Sequence, residues 1–305
     1  MSPAGRYAPS PSGDLHVGNL RTALLAWLFA RGTGREFRMR VEDLDRARSR
    51  SAERQLEDLA ALGIDWDGEV VVQSTRGVLY AEALDALRER DLVYECFCTR
   101  REIAEAASAP HAAPGAYPGT CRNLDDAERA ARKAGGRAPA LRLRADVDVA
   151  TVHDVLAGDW TGVVDDLVLV RNDGTVAYNF AVVLDDGEMG VDQVVRGDDL
   201  LSSAPRQAYL ATVLGLTPPT YAHVPLVLGP TGARLAKRDG AVTLRELTEA
   251  GAGVGDVVGL IADSLDLPGI RTASGLLAVF DPAALPREPW TFVPPGPSPV
   301  RAAGR

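Results

Sequence analysis

The sequence predicts an α/β fold: a parallel sheet with helices on its faces, interrupted by an inserted module. Three observations carry this. Strand and helix patterns alternate from the N-terminus, a stretch from Glu95 to Leu124 rich in Ala, Pro, Gly and Cys breaks the periodicity, and helical spacing resumes beyond Leu200. Alternating elements of this kind favour a parallel sheet with both faces covered.

Residues 5–8 read as a short strand. The run Pro9-Ser10-Pro11-Ser12-Gly13 stops it, because Pro lacks the ladder donor and Gly is conformationally loose. Leu20, Leu24 and Leu28 fall four apart, so a helix begins near His16 and turns one face inward. Its N-terminus, with unpaired N–H groups and a partial positive charge, suits a polyphosphate, and Gly18 leaves room for a ring or phosphate against the backbone. At 36–41, Phe37, Met39 and Val41 alternate with charged residues, which predicts a strand ending in the acidic turn Glu42-Asp43-Leu44-Asp45. Helices over 51–62 and 78–90 enclose a loop and strand at 64–72. Residues 140–196 are rich in Val and Asp, and Asn172-Asp173-Gly174 and Asp185-Asp186-Gly187 read as hairpin turns of an antiparallel or mixed region. A buried strand is expected at 221–228, then a basic loop, one or two helices after Gly251, and from Asp281 an exposed Pro-rich tail.

A net charge of −9 argues against a general basic coat for nucleic acid, though a local groove is compatible with it. There is no apolar run long enough to span a membrane and no basic-then-apolar N-terminus, so a cytoplasmic monomer is expected. Three cysteines are too few for a disulfide framework. Cys96, Cys98 and Cys121 lie close in sequence and supply three of the four ligands a zinc ion takes, with Tyr117 or His111 available as the fourth.

Two short segments carry the chemistry. His16-Val17-Gly18-Asn19 stands at a loop-to-helix start, and Arg234-Leu235-Ala236-Lys237-Arg238 stands in a basic loop far downstream. In this order, behind the Pro-Ser-Pro-Ser-Gly lead-in, they resemble the HIGH and KMSKS signatures of class I aminoacyl-tRNA synthetases. Asn19 replaces the second His and can still donate an amide hydrogen bond; Arg234 replaces the first Lys and keeps the cation; Lys237 fills the second Lys position. The stretches from Arg6 to Gly13 and from Val41 to Asp45 further resemble the glutamyl branch of that family.

The resemblance implies a Rossmann-like catalytic domain that uses ATP, Mg²⁺ and L-glutamate. His16, Gly18, Asn19 and Lys237 would bind ATP, with His16 and Lys237 catalytic. Arg6, Ser10, Glu42, Tyr178 and Arg196 would hold glutamate. Charge complementarity agrees, since a dicarboxylate amino acid needs a guanidinium for its side chain and a carboxylate for its ammonium group, roles open to Arg6 and Glu42. Resemblance to the short paralogues of this branch favours Tyr117 as the fourth ligand of a structural zinc, beside Cys96, Cys98 and Cys121. Only 65 residues follow Gly240, which leaves no room for a helical anticodon-binding region. The expectation is therefore the paralogue group that attaches glutamate to the queuosine base in the anticodon of tRNA(Asp). A shortened enzyme charging the tRNA 3′ end and a non-catalytic synthetase-like binding protein are the alternatives. The expected division is 1–95 and 191–250 as two halves of the catalytic domain, 96–190 as a zinc-binding, acceptor-contacting insertion, and 251–305 as a helical and Pro-rich extension.

Overall fold

The computed structural model describes residues 2–44, 51–107, 116–235 and 242–293. In chain order its elements are β1 (Ala4–Tyr7), α1 (Val17–Gly32), β2 (Glu36–Val41), α2 (Ser51–Ala61), β3 (Val71–Val72), α3 (Gly77–Glu89), β4 (Val93–Cys96), α4 (Arg100–Ala107) and α5 (Asp126–Ala134). Then come β5 (Ala140–Leu143), β6 (Val149–Asp154), β7 (Gly158–Val163), β8 (Val168–Val170), α6 (Tyr178–Glu188), β9 (Val191–Gly197) and α7 (Ala204–Val213). The last are β10 (Thr220–Val224), β11 (Val227–Leu228), α8 (Leu244–Glu249), α9 (Val254–Asp263), α10 (Ala273–Leu277) and β12 (Trp290–Thr291).

The main sheet has the order β3-β2-β1-β9-β10-β6-β7. Every pairing in it is parallel except the β6–β7 hairpin at the edge. Chain order reverses between β1 and β9, and such a switch point opens a crevice at the carboxyl ends of the strands. The loops after β1, β2 and β9 all end there.

Helix α1 is buried nearly all round rather than along one stripe. Leu20, Leu24 and Leu28 are fully buried, and the same core takes in Val257 and Ile261 of α9 and Leu276 of α10. The sheet covers one flank and the C-terminal helices cover the other.

A second sheet, β4-β5-β8, is antiparallel throughout. The β6–β7 hairpin extends the main sheet through the Tyr221–Asp154 pairing.

Two expectations are corrected. Asp185-Asp186-Gly187 is no hairpin turn but lies inside α6, where a Cβ on Gly187 would stand 2.6 Å from the Leu216 side chain. The glycine serves close packing, and the two carboxylates serve buried ion pairs described below. Nor is the segment after Asp281 a loose tail up to residue 293: β12 pairs with β11, and Leu285 and Phe292 join the core. Among the described residues no helix is long and apolar enough to cross a membrane.

Candidate active site

A cleft of about 870 Å³ opens at the switch point. Its lining includes Ser10, His16, Gly18, Asn19, Glu42, Tyr178 and Arg234. Arg6 and Arg196 are buried on β1 and β9, next in sequence to the lining residues Tyr7 and Gly197. The described residues predicted for ATP and glutamate therefore line this cleft or adjoin its lining, while Lys237 lies outside the described residues.

His16 is the N-cap of α1. Its Nδ1 accepts from Gly18 N at 3.1 Å and Asn19 N at 3.3 Å, while Asn19 Oδ1 accepts from His16 N at 3.3 Å. Val17 N donates to Val242 O, and Leu20 N to His16 O. The first-turn N–H groups expected to meet a polyphosphate are thus already bonded, and the helix dipole remains to favour an anion at this end. An accepting Nδ1 places the proton of a neutral ring on Nε2, which becomes a donor. Gly18 is also small for a local reason: a Cβ there would lie 3.0 Å from His16 Cε1 and 3.3 Å from Val227 Cβ. The absent side chain leaves room for the histidine ring.

The lead-in loop is tied to α2. Gln55 Nε2 donates to Ser10 O at 3.1 Å and Gly13 O at 2.6 Å, and Ser51 Oγ to Pro11 O at 2.8 Å. Pro9 and Pro11 bring no backbone N–H to this loop and Gly13 sits at positive φ, so side chains of α2 supply the donors that its carbonyls accept.

Tyr178 lies near enough to feel the charges of Glu42, Arg196 and Arg6, and Arg6 lies near enough to act on both Glu42 and Arg196. Beneath them runs an ion-pair network invisible in the sequence pattern. Arg40, fully buried on β2, donates through Nη2 to Glu42 at 3.0 Å and through Nη1 to Asp186 at 2.6 Å. Asp186 also accepts from Arg6 Nε at 3.4 Å, and Arg6 Nη1 donates to Val195 O. Asp185 beside it is bonded by Gln73, Arg76 and Tyr80. Burial raises the Glu42 carboxyl above its usual range despite Arg40, whereas at Asp186 the nearby Arg40 and Arg6 outweigh burial and hold it low. The missed signal was an arginine in a strand of a parallel sheet, which is covered on both faces, together with adjacent carboxylates in a helix.

Both feet of the second signature loop are fixed. Leu235 N donates to Val227 O, Arg234 Nη1 to Asp199 Oδ2 at 2.6 Å, and on the far side Val242 O accepts from Val17 N. The loop that bears Lys237 therefore springs from positions bonded to the cleft wall and to the start of α1.

Where β4 ends, the sulfurs of Cys96, Cys98 and Cys121 all lie within 4.8 Å of one another. Cys98 and Cys121 Sγ are 3.5 Å apart, and the Tyr117 hydroxyl is 3.3 Å from Cys96 Sγ and 3.9 Å from Cys98 Sγ. Zinc–sulfur bonds near 2.3 Å set tetrahedral sulfurs about 3.8 Å apart, so four donors at these separations fit zinc. His111 lies outside the described residues. Purified protein should carry about one zinc per chain, and Cys121→Ser should lose it by metal analysis; a fully folded, metal-free wild type would make these three ordinary thiols.

A family model described as tRNA synthetases class I (E and Q), catalytic domain, matches residues 4–258. The chain is 64% identical over 293 residues to a Glutamyl-Q tRNA(Asp) synthetase of Nocardia farcinica, covering 96% of this chain and 94% of that protein. It is 43% identical over 262 residues to a Glutamate--tRNA ligase 2 of Alkalilimnicola ehrlichii, covering 81% of this chain but 55% of the ligase. Among solved structures, a glutamate tRNA ligase from Elizabethkingia meningosepticum in complex with its amino acid superposes with a TM-score of 0.79 at 27% identity, covering 96% of this chain and 67% of that one. On these matches and this cleft, the chain belongs to the class I tRNA synthetases of the E and Q type, and within them to the glutamyl-Q tRNA(Asp) synthetases.

Proposed function

We propose that the chain activates L-glutamate with ATP and transfers it to the queuosine base in the anticodon of tRNA(Asp). The observation that carries this reading is the convergence of Arg6, Glu42, Tyr178 and Arg196 beside His16 at one switch-point cleft, in a chain so similar to a glutamyl-Q tRNA(Asp) synthetase over nearly its whole length.

In the first step the glutamate α-carboxylate attacks the α-phosphorus of ATP in line, and pyrophosphate leaves. Glu42 takes the ammonium group, and the guanidinium groups of Arg6 and Arg196 take carboxylate charge. His16 donates from Nε2 toward the phosphates at the positive end of α1, and Lys237 approaches them from the second loop. Mg²⁺ accompanying ATP supplies further charge neutralisation. Catalysis on this reading is positioning plus electrostatics, with no covalent enzyme intermediate. In the second step a hydroxyl of the queuosine cyclopentenediol attacks the adenylate carbonyl and AMP leaves. Zinc, held by Cys96, Cys98, Cys121 and Tyr117, would close the insertion structurally.

The similarity to a glutamate–tRNA ligase favours a second reading, charging of the tRNA 3′ end. One experiment separates them. Labelled glutamate is offered with tRNA(Asp) carrying queuosine and with the same tRNA lacking it, and the label is mapped by nuclease cleavage. Label on the anticodon fragment of the queuosine-containing tRNA alone is the expected result; label at the 3′ end of either tRNA establishes the second reading.

A further inference from the structure

All three guanidinium nitrogens of Arg196 are held from within the protein. Nε donates to His223 Nε2 at 3.0 Å, Nη1 to Gln207 Oε1 at 2.7 Å, and Nη2 to Leu200 O at 3.3 Å. His223, 4% exposed on β10, is held in turn by Asp154 at the end of β6, which is fully buried. Asp154 Oδ2 accepts from His223 Nδ1 at 2.6 Å and from the His223 backbone N at 3.0 Å, while Oδ1 accepts from Leu156 N at 2.9 Å and Ala157 N at 2.8 Å.

The chain of contacts has a direction. Four donors fill Asp154, and although burial would raise its carboxyl, the His223 bond and the backbone donors hold it below the usual range. An ionised, acceptor-only carboxylate obliges His223 to carry a proton on Nδ1. The neutral ring then presents the Nε2 lone pair, and that lone pair receives Arg196 Nε–H. A second proton on the ring would oppose N–H to N–H and place two like charges 3.0 Å apart.

We propose that Asp154 and His223 are positioning residues that aim the Arg196 guanidinium at the glutamate substrate, and that they do so only while the imidazole is neutral. This rests on the reading of Arg196 as a glutamate contact. The charged and titratable groups around the ring are Arg196 from β9, Asp154 from β6, Asp198 just after β9, and Tyr221, which stacks on it from its own strand at 5.7 Å. Burial and Arg196 lower its proton affinity, and the two aspartates oppose them. The strand carrying Asp154 contributes no residue to the cleft lining, so its influence on glutamate passes through the histidine.

The test is glutamate-dependent ATP–pyrophosphate exchange with H223L, which removes the acceptor, and H223Q, which returns an oxygen near the Nε2 position but cannot be protonated there. H223L should raise the KM for glutamate about tenfold or more, with the KM for ATP and kcat little changed, and H223Q should recover most of the loss. As pH falls, the KM for glutamate should climb more steeply in wild type than in H223Q, where Glu42 still titrates and the relay does not. A wild-type glutamate KM in folded H223L, or superimposable acid limbs for wild type and H223Q, overturns the proposal. If H223L fails to fold by thermal melting, the H223Q profile decides alone. R196A separates the two layers. An unchanged glutamate KM in R196A sinks the pocket reading and this inference with it, whereas a raised KM in R196A beside a normal one in H223L sinks this inference only.

Discussion

Replacing Arg40 by methionine should lower the free energy of unfolding by about 3–5 kcal/mol, the range for removing one partner of a buried ion pair. Methionine fills much of the volume but answers none of the charge. Asp186 would keep only the longer contact from Arg6, and Glu42 would lose its donor on Arg40 Nη2, whereas Asp185 would retain Gln73, Arg76 and Tyr80. The deficit should depend on pH in a definite sense. The Asp186 carboxyl is held below its usual value in the folded chain, so the stability it contributes is complete above the unfolded carboxylate range near pH 4 and lost as pH falls through the depressed folded value. Wild type and R40M should therefore differ most at neutral pH and converge in acid. Urea titrations at several pH values measure this, and a neutral-pH gap below about 1 kcal/mol would mean that the network relaxes around the loss.

The largest effect on activity is expected from Glu42→Gln. Glutamine keeps an oxygen to accept from Arg40, so the fold should stay intact, but the charge proposed to meet the substrate ammonium is gone. Truncating one side of a buried charge pair costs about 2–5 kcal/mol, so kcat/KM for glutamate should fall roughly 30-fold to several thousand-fold with the KM for ATP unaffected. Steady-state exchange kinetics with each substrate varied in turn give the answer. An unaltered kcat/KM for glutamate in E42Q would place the ammonium elsewhere in the cleft.

Much of the fold was legible because local and tertiary signals agreed. Phe37, Met39 and Val41 alternate cleanly, and the strand they predict has the bounds observed. Glu42 and His16 were readable because each sits where a regular element meets a loop. What the pattern hid were groups whose role is fixed across the fold. Arg40 sits among the alternating charged residues of β2 and looks solvated until α6 brings Asp186 over it. Asp185-Asp186-Gly187 has the composition of a turn, and only the partners on β1, β2 and α3 and the close approach of Leu216 explain why a helix runs through it. His223 shows no local signal at all, since its meaning lies in residues 69 positions before it and 27 before it. The tail was misread for the converse reason: proline content marks irregular backbone, but irregular backbone can still dock when Leu285 and Phe292 have a core to enter.

That docking gives the C-terminal segment a mechanical standing. Trp290 N donates to Leu226 O and Phe292 N to Leu228 O, while Leu226 and Val227 face the nucleotide cleft and Leu228 is bridged to Arg234 at the foot of the second loop. A displacement of this short strand is thus delivered through two backbone bonds to the wall against which the phosphates would rest. A segment far from His16 in sequence is a lever on the same crevice, so that a fused domain or a bound macromolecule pulling on it would pull on the cleft wall.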